Sequence, residues 1–92
     1  MKKNAANRLA PAKDVISTVH GTRTVLLDAR NGHYWGLDEV GSRIWALAQE
    51  SLTPLQIALQ LSEEYDAPLD TLRDDVDRFF ATLRASRLLE AS

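Results

Sequence analysis

The sequence predicts a small α+β domain, a three-stranded antiparallel sheet followed by three helices, arranged as a winged helix-turn-helix. Three observations lead there. Apolar and β-branched runs at Val15–His20, residues 22–28 and His33–Leu37 are punctuated by Gly21 and by Asn31-Gly32, the marks of successive hairpins. Two helix starts follow, one at Asp38 and one at Thr53-Pro54. After Pro68 the apolar residues recur at spacings of three and four.

Residues 1–13 carry Lys2, Lys3, Arg8 and Lys13 with no acid, and Pro11 interrupts regular structure. They read as a flexible basic tail ahead of one domain, residues 14–92. The first strand, Val15–His20, is β-branched at four positions, and Gly21 turns it into the second, whose centre Val25-Leu26-Leu27 is apolar on both faces. The next turn admits two registers. A two-residue loop would oppose Arg30 to His33 and Leu26 to Leu37. A three-residue loop closed by Gly32 would oppose Ala29 to His33, Leu27 to Trp35 and Val25 to Leu37. The second gives an apolar ladder on one face, and a one-residue slip would turn that set over, so it is the expected register. The third strand is then an edge with an unpaired row of N–H and C=O groups.

Asp38 caps a helix over about residues 39–49, on which Val40, Ile44, Leu47 and Ala48 share a face. Gly41 inside it costs about 1 kcal/mol against alanine, and a close approach to the sheet would explain its presence. Thr53, Pro54 and Gln56 form a capping box for a second helix that ends at Tyr65. The third and longest begins near Asp70 or Thr71 and carries the stripe Leu72, Val76, Phe79, Phe80 and Leu83. Arg84 and Arg87 bring positive charge to its C-terminal end, and Leu88-Leu89 tucks back as a short extended piece.

Ninety-two residues suffice for one modest core but not for a core and a deep enclosed active site. With 45% apolar and 26% charged residues the composition is that of an ordinary globular domain. No apolar run is long enough to span a bilayer, and there is no cysteine for a disulfide, thiolate nucleophile or zinc site. A cytoplasmic protein without cofactor or metal is expected.

Catalytic chemistry finds little support. His20 and His33 stand at strand ends with no metal-ligand spacing around them. Glu63, Glu64 and Asp66 cluster at a helix end that lacks the apolar pocket needed to split two carboxyl pKa values. No serine lies in a nucleophile elbow, and no glycine-rich loop could cradle a phosphate. A winged-helix DNA binder is opposed by charge. The candidate recognition helix sets Asp70, Asp74, Asp75 and Asp77 against Arg73, Arg78 and Arg84, whereas DNA affinity rests on neutralised phosphates. A peptide- or protein-binding module remains, in which a strand adds to His33–Leu37 and its side chains enter a groove against the long helix. The third helix has more apolar side chain than one face needs. Helical geometry turns Phe80 toward the core with Val76 and Leu83, and Phe79 toward the groove with Leu72 and Asp75.

The segment LLDARNGHYWGLDEVGSRIW resembles the PqqD-like family, recognition domains for ribosomally made, modified peptides. The residues that carry the likeness are Leu27-Asp28, Gly32, Tyr34-Trp35, Leu37-Asp38, Gly41 and Ile44-Trp45, followed by Tyr65, Asp74-Asp75-Val76, Phe79-Phe80 and Leu88-Leu89. It covers roughly residues 15–90. Asp38 stands where asparagine is common, and both cap a helix; the resemblance assigns no role to the basic tail. Among its members the chain looks most like the free-standing leader-binding proteins of lasso-peptide clusters, which work beside a leader protease and a cyclase. The resemblance implies a winged helix-turn-helix and a leader added as a strand to the third strand. It also implies a peptide site drawn from His33, Tyr34, Trp35, Gly36, Leu37, Leu72, Asp75, Val76, Phe79, Phe80 and Leu83, with no nucleic acid, membrane or cofactor. A PqqD-type partner of a radical-SAM enzyme is the alternative within the family.

Overall fold

The computed structural model describes residues 9–91. In chain order the elements are β1 (Leu9–Pro11), β2 (Val15–His20), β3 (Arg23–Asp28), β4 (His33–Leu37), α1 (Glu39–Ala48), α2 (Pro54–Glu64), α3 (Leu69–Ala85) and β5 (Leu89–Ala91). Strands β2, β3 and β4 form the antiparallel sheet in that order, with the three helices after it, as the sequence predicts.

A second, two-stranded sheet was not foreseen: β1 pairs antiparallel with β5, Ala10 opposite Glu90. The expected tail therefore does not extend to residue 13. Ala12 is buried and its N–H donates to the Leu88 carbonyl. Residues 1–8, which hold three of the four basic groups, lie outside the described residues. Pro11 fits in a strand because an edge position does not require its missing N–H.

The β3–β4 register is a correction. Asp28 opposes His33, Leu26 opposes Trp35 and Thr24 opposes Leu37, so the loop has four residues, 29–32, rather than two or three. The face turned to the helices carries Thr24, Leu26, Asp28, Trp35 and Leu37, while Val25, Leu27, Tyr34 and Gly36 look outward. The apolar ladder failed as a guide because the inner-face carboxylate of Asp28 is satisfied, and a buried polar group with partners is tolerated. The Thr24 N–H donates to Ser42 Oγ at 2.8 Å. Asp28 Oδ1 accepts from the Arg30 N–H at 3.1 Å and from Arg30 Nε at 2.8 Å, and Arg30 Nη2 reaches Oδ2 at 3.0 Å. The same guanidinium donates to the Arg87 carbonyl. Gly32, at φ 75°, closes the loop with its N–H on the Asp28 carbonyl. The Arg30 hydrogen bonds hold the Asp28 carboxyl below the usual carboxylate range.

Asp38 caps α1 by accepting from the Gly41 N–H at 2.7 Å. The capping box of α2 is complete, with Thr53 and Gln56 bonding each other's backbone N–H. Arg43 of α1 grips Glu64 at the end of α2 through two hydrogen bonds, which with Gln60 lower the Glu64 pKa to about 2. The core gathers Leu26, Ile44, Trp45, Leu47, Ile57, Leu61, Leu72, Val76, Phe80, Leu83, Leu88 and Leu89 between sheet and helices. Among the described residues, no helix is long and apolar enough to cross a membrane.

Candidate peptide-binding site

Pairing parity decides which backbone groups the sheet leaves free. The two-residue turn at Gly21-Thr22 makes His20 and Arg23 a doubly hydrogen-bonded pair, and such pairs alternate along an antiparallel ladder. Ile16, Thr18 and His20 thus bond to β3, and Leu26 and Asp28 bond to β4, while the Thr24 N–H goes to Ser42 Oγ, whose hydroxyl in turn donates to the Leu37 carbonyl. The Ala29 N–H on the Asp14 carbonyl continues the same alternation. On β4 the outward N–H and C=O groups are those of Tyr34 and Gly36. Tyr34 is 72% exposed, and Gly36 adds no side chain that would hinder an approaching strand.

Where Leu37 gives way to the α1 cap, a cavity of about 280 Å³ opens between α1 and α3, lined by Asp38, Val40, Gly41, Ile44, Asp75 and Phe79. A shallower depression of about 430 Å³, lined by Thr22, Arg23, Asp38, Glu39 and Val40, shares Asp38 and Val40 as a common wall. Gly41 lets the Phe79 ring of α3 lie directly against α1 at the cavity wall. A Cβ at this position would stand 3.0 Å from Phe79 Cε1 and 3.0 Å from Asp38 Oδ1. The close approach expected for Gly41 is therefore to an α3 ring and to its own cap, not to the sheet. Asp75, on the cavity wall, pairs with Arg78 one turn on.

The predicted site residues divide into three groups. His33, Tyr34 and Gly36 are exposed on the edge strand, and Trp35 and Leu37 are half-buried against the core. Asp75 and Phe79 line the cavity. Leu72, Val76, Phe80 and Leu83 are at most 5% exposed and belong to the core beneath it, so they offer an incoming chain almost no surface. Phe80 is turned inward and Phe79 toward the cavity, as helical geometry requires. No residue of β4 lines the cavity, and Asp38, Val40, Gly41 and Ile44 were missed. The unfavourable glycine within a helix was the one signal for them.

The model of the family described as coenzyme PQQ synthesis protein D (PqqD) matches residues 23–89. The chain belongs to the PqqD family. Among solved structures, one described as TbiB1 in complex with the TbiA(beta) leader peptide is 35% identical, with a TM-score of 0.85 over 90% of this chain and 96% of that one. Another, lasso peptide synthetase B1 complexed with the leader peptide, is 20% identical, with a TM-score of 0.83 over 90% of this chain and 98% of that one; its likeness is one of fold. No curated protein is similar enough to match. The matched span of this PqqD-family chain runs from β3 to the first residue of β5, and so includes the free edge and the cavity. Among the described residues no group of His, Asp and Glu is placed to hold a metal ion.

Proposed function

We propose that this chain is a non-catalytic, cytoplasmic binding protein for the leader of a ribosomal precursor peptide. It holds the leader as a strand on β4 and presents it to a leader protease, with a cyclase as the further partner, in lasso-type maturation. The observation that carries the reading is the free edge of β4, ending at a cavity with an apolar floor of Val40, Gly41, Ile44 and Phe79. Main-chain bonds at Tyr34 and Gly36 would supply affinity without regard to sequence, and the cavity would select one side chain. The carboxylates of Asp38 and Asp75, each engaged through Oδ1 by the Gly41 N–H and by Arg78, keep their other oxygen for a hydrogen-bond donor at the tip of a leader residue. PqqD membership and the leader complexes of the two neighbours support the reading.

A second reading, a peptide chaperone for a radical-SAM enzyme, is kept because the matching family is described by a coenzyme-synthesis protein rather than by a lasso-peptide one. The experiment is a tryptophan fluorescence titration with synthetic leaders of both peptide classes, alongside inspection of the neighbouring genes. Saturable binding of a lasso leader, with a precursor, protease and cyclase encoded nearby, is expected. No binding of either leader class would remove the proposal.

A further inference from the structure

The sheet has a second free edge. β2 is exposed along nearly its whole length, and beyond Val15, whose N–H donates to the Ala12 carbonyl at 3.1 Å, no described element covers its outer side. By the same parity, the N–H and C=O groups of Ser17 and Val19 point outward. Exposed edges are ordinarily protected by charge, proline or a bulge. The strand VISTVH has none of these and carries two exposed apolar side chains, Ile16 at 54% and Val19 at 70%, one on each face.

We infer that β2 is the contact between two copies of this chain, paired antiparallel about a two-fold axis through Ser17. A second copy is the occupant because the strand complements itself in that register. Asp14 meets His20 of the second copy, a carboxylate acceptor facing an imidazole donor, and Val15 meets Val19. Ile16 meets Thr18 on the outer face, and Ser17 meets itself. Centring on Thr18 would place Asp14 against Thr22 and Val15 against Gly21, losing both matches. The pairing joins two sheets into one of six strands. Its outer face carries the row Tyr34–Leu27–Ile16 on into Thr18–Val25–Gly36 of the other copy, so the exposed Ile16 gains apolar neighbours. Both β4 edges remain free at the far ends, so the inference does not depend on leader binding.

Sedimentation equilibrium of the full chain tests it. The weight-average mass should climb from monomer toward dimer as concentration approaches about 1 mM, and hydrogen exchange at the Ser17 and Val19 amides should slow in parallel while Tyr34 and Gly36 stay fast. Val19→Lys changes an exposed side chain, so it should stay monomeric with an unchanged melting temperature in dilute solution. Ser17→Pro removes an outward N–H and should do the same. Asp14→His and His20→Asp should each weaken association at least fivefold, and the two together should restore it. A chain monomeric at ~1 mM, an equally dimeric Val19→Lys variant, or protection at Tyr34 and Gly36 instead of Ser17 and Val19 would overturn the inference.

Discussion

Arg30 and Asp28 form a bidentate pair, Nε to Oδ1 at 2.8 Å and Nη2 to Oδ2 at 3.0 Å, and the same guanidinium binds the Arg87 carbonyl after α3. One side chain thus fixes the β3–β4 loop, the β4 register and the turn into β5. Arg30→Ala leaves an inward-facing carboxylate without its charge partner, held only by the residue-30 backbone N–H, and that is worse than having neither charged group. Thermal unfolding should show a lower melting temperature for Arg30→Ala than for Arg30→Ala combined with Asp28→Asn. The reverse order would mean that the pair does not hold the loop.

The pH dependence of stability follows from two carboxyls. Asp28 is lowered by Arg30, and Glu64 is lowered to about 2 by Arg43 and Gln60. A depressed folded-state pKa contributes stability that is complete above the unfolded value, ~4–4.5, and is lost as pH falls through the folded value. The urea midpoint should be flat in these contributions above about pH 5 and should fall between about pH 4.5 and 2. Glu64→Gln should flatten the fall across that window. Glu64 is largely solvent-facing, so its share should shrink in high salt.

Phe79 and Phe80 separate binding from folding. Phe80 is 4% exposed in the core, and its truncation to alanine should cost ~3–5 kcal/mol, enough to threaten a domain of this size. Phe79→Ala should cost less stability and abolish leader binding in the tryptophan fluorescence titration. Intact binding in a folded Phe79→Ala variant would place the groove elsewhere.

Gly41→Ala gains about 1 kcal/mol of helix propensity while its Cβ presses on the Phe79 ring and on the Asp38 cap. The two effects oppose, so the unfolding midpoint should move little. The displaced ring should fill the cavity, and leader affinity should drop severalfold with Tyr34 and Gly36 untouched. Unchanged affinity would separate the cavity from recognition.

DNA binding is disfavoured more strongly by the structure than by the charge count. Arg73 and Arg78 of α3 are tied to Asp77 and Asp75, so two of the helix's three arginines are already neutralised. No shift of a short duplex should be seen at physiological salt. Salt-sensitive binding lost on deleting residues 1–8 would assign it to those residues instead.

The sequence by itself determined the order of the three-stranded sheet and the three helices, the caps of α1 and α2, the free edge at β4, and that Phe79 and Phe80 point different ways. Each of these follows from local chemistry: a side-chain oxygen beside a free N–H, a period of 3.6, a glycine in a turn. The β3–β4 register was not legible, because Val25-Leu26-Leu27 is apolar on both faces and period two cannot choose between them. The choice fell to partners far along the chain, Ser42 for the Thr24 N–H and the Arg87 carbonyl for Arg30. Strand β1 was hidden for the same reason, since its partner lies at the other end of the sequence. The cavity wall at Asp38, Val40 and Ile44 also needed the tertiary structure. It exists only where α3 crosses Gly41, and no spacing along one helix reports how closely another will approach it.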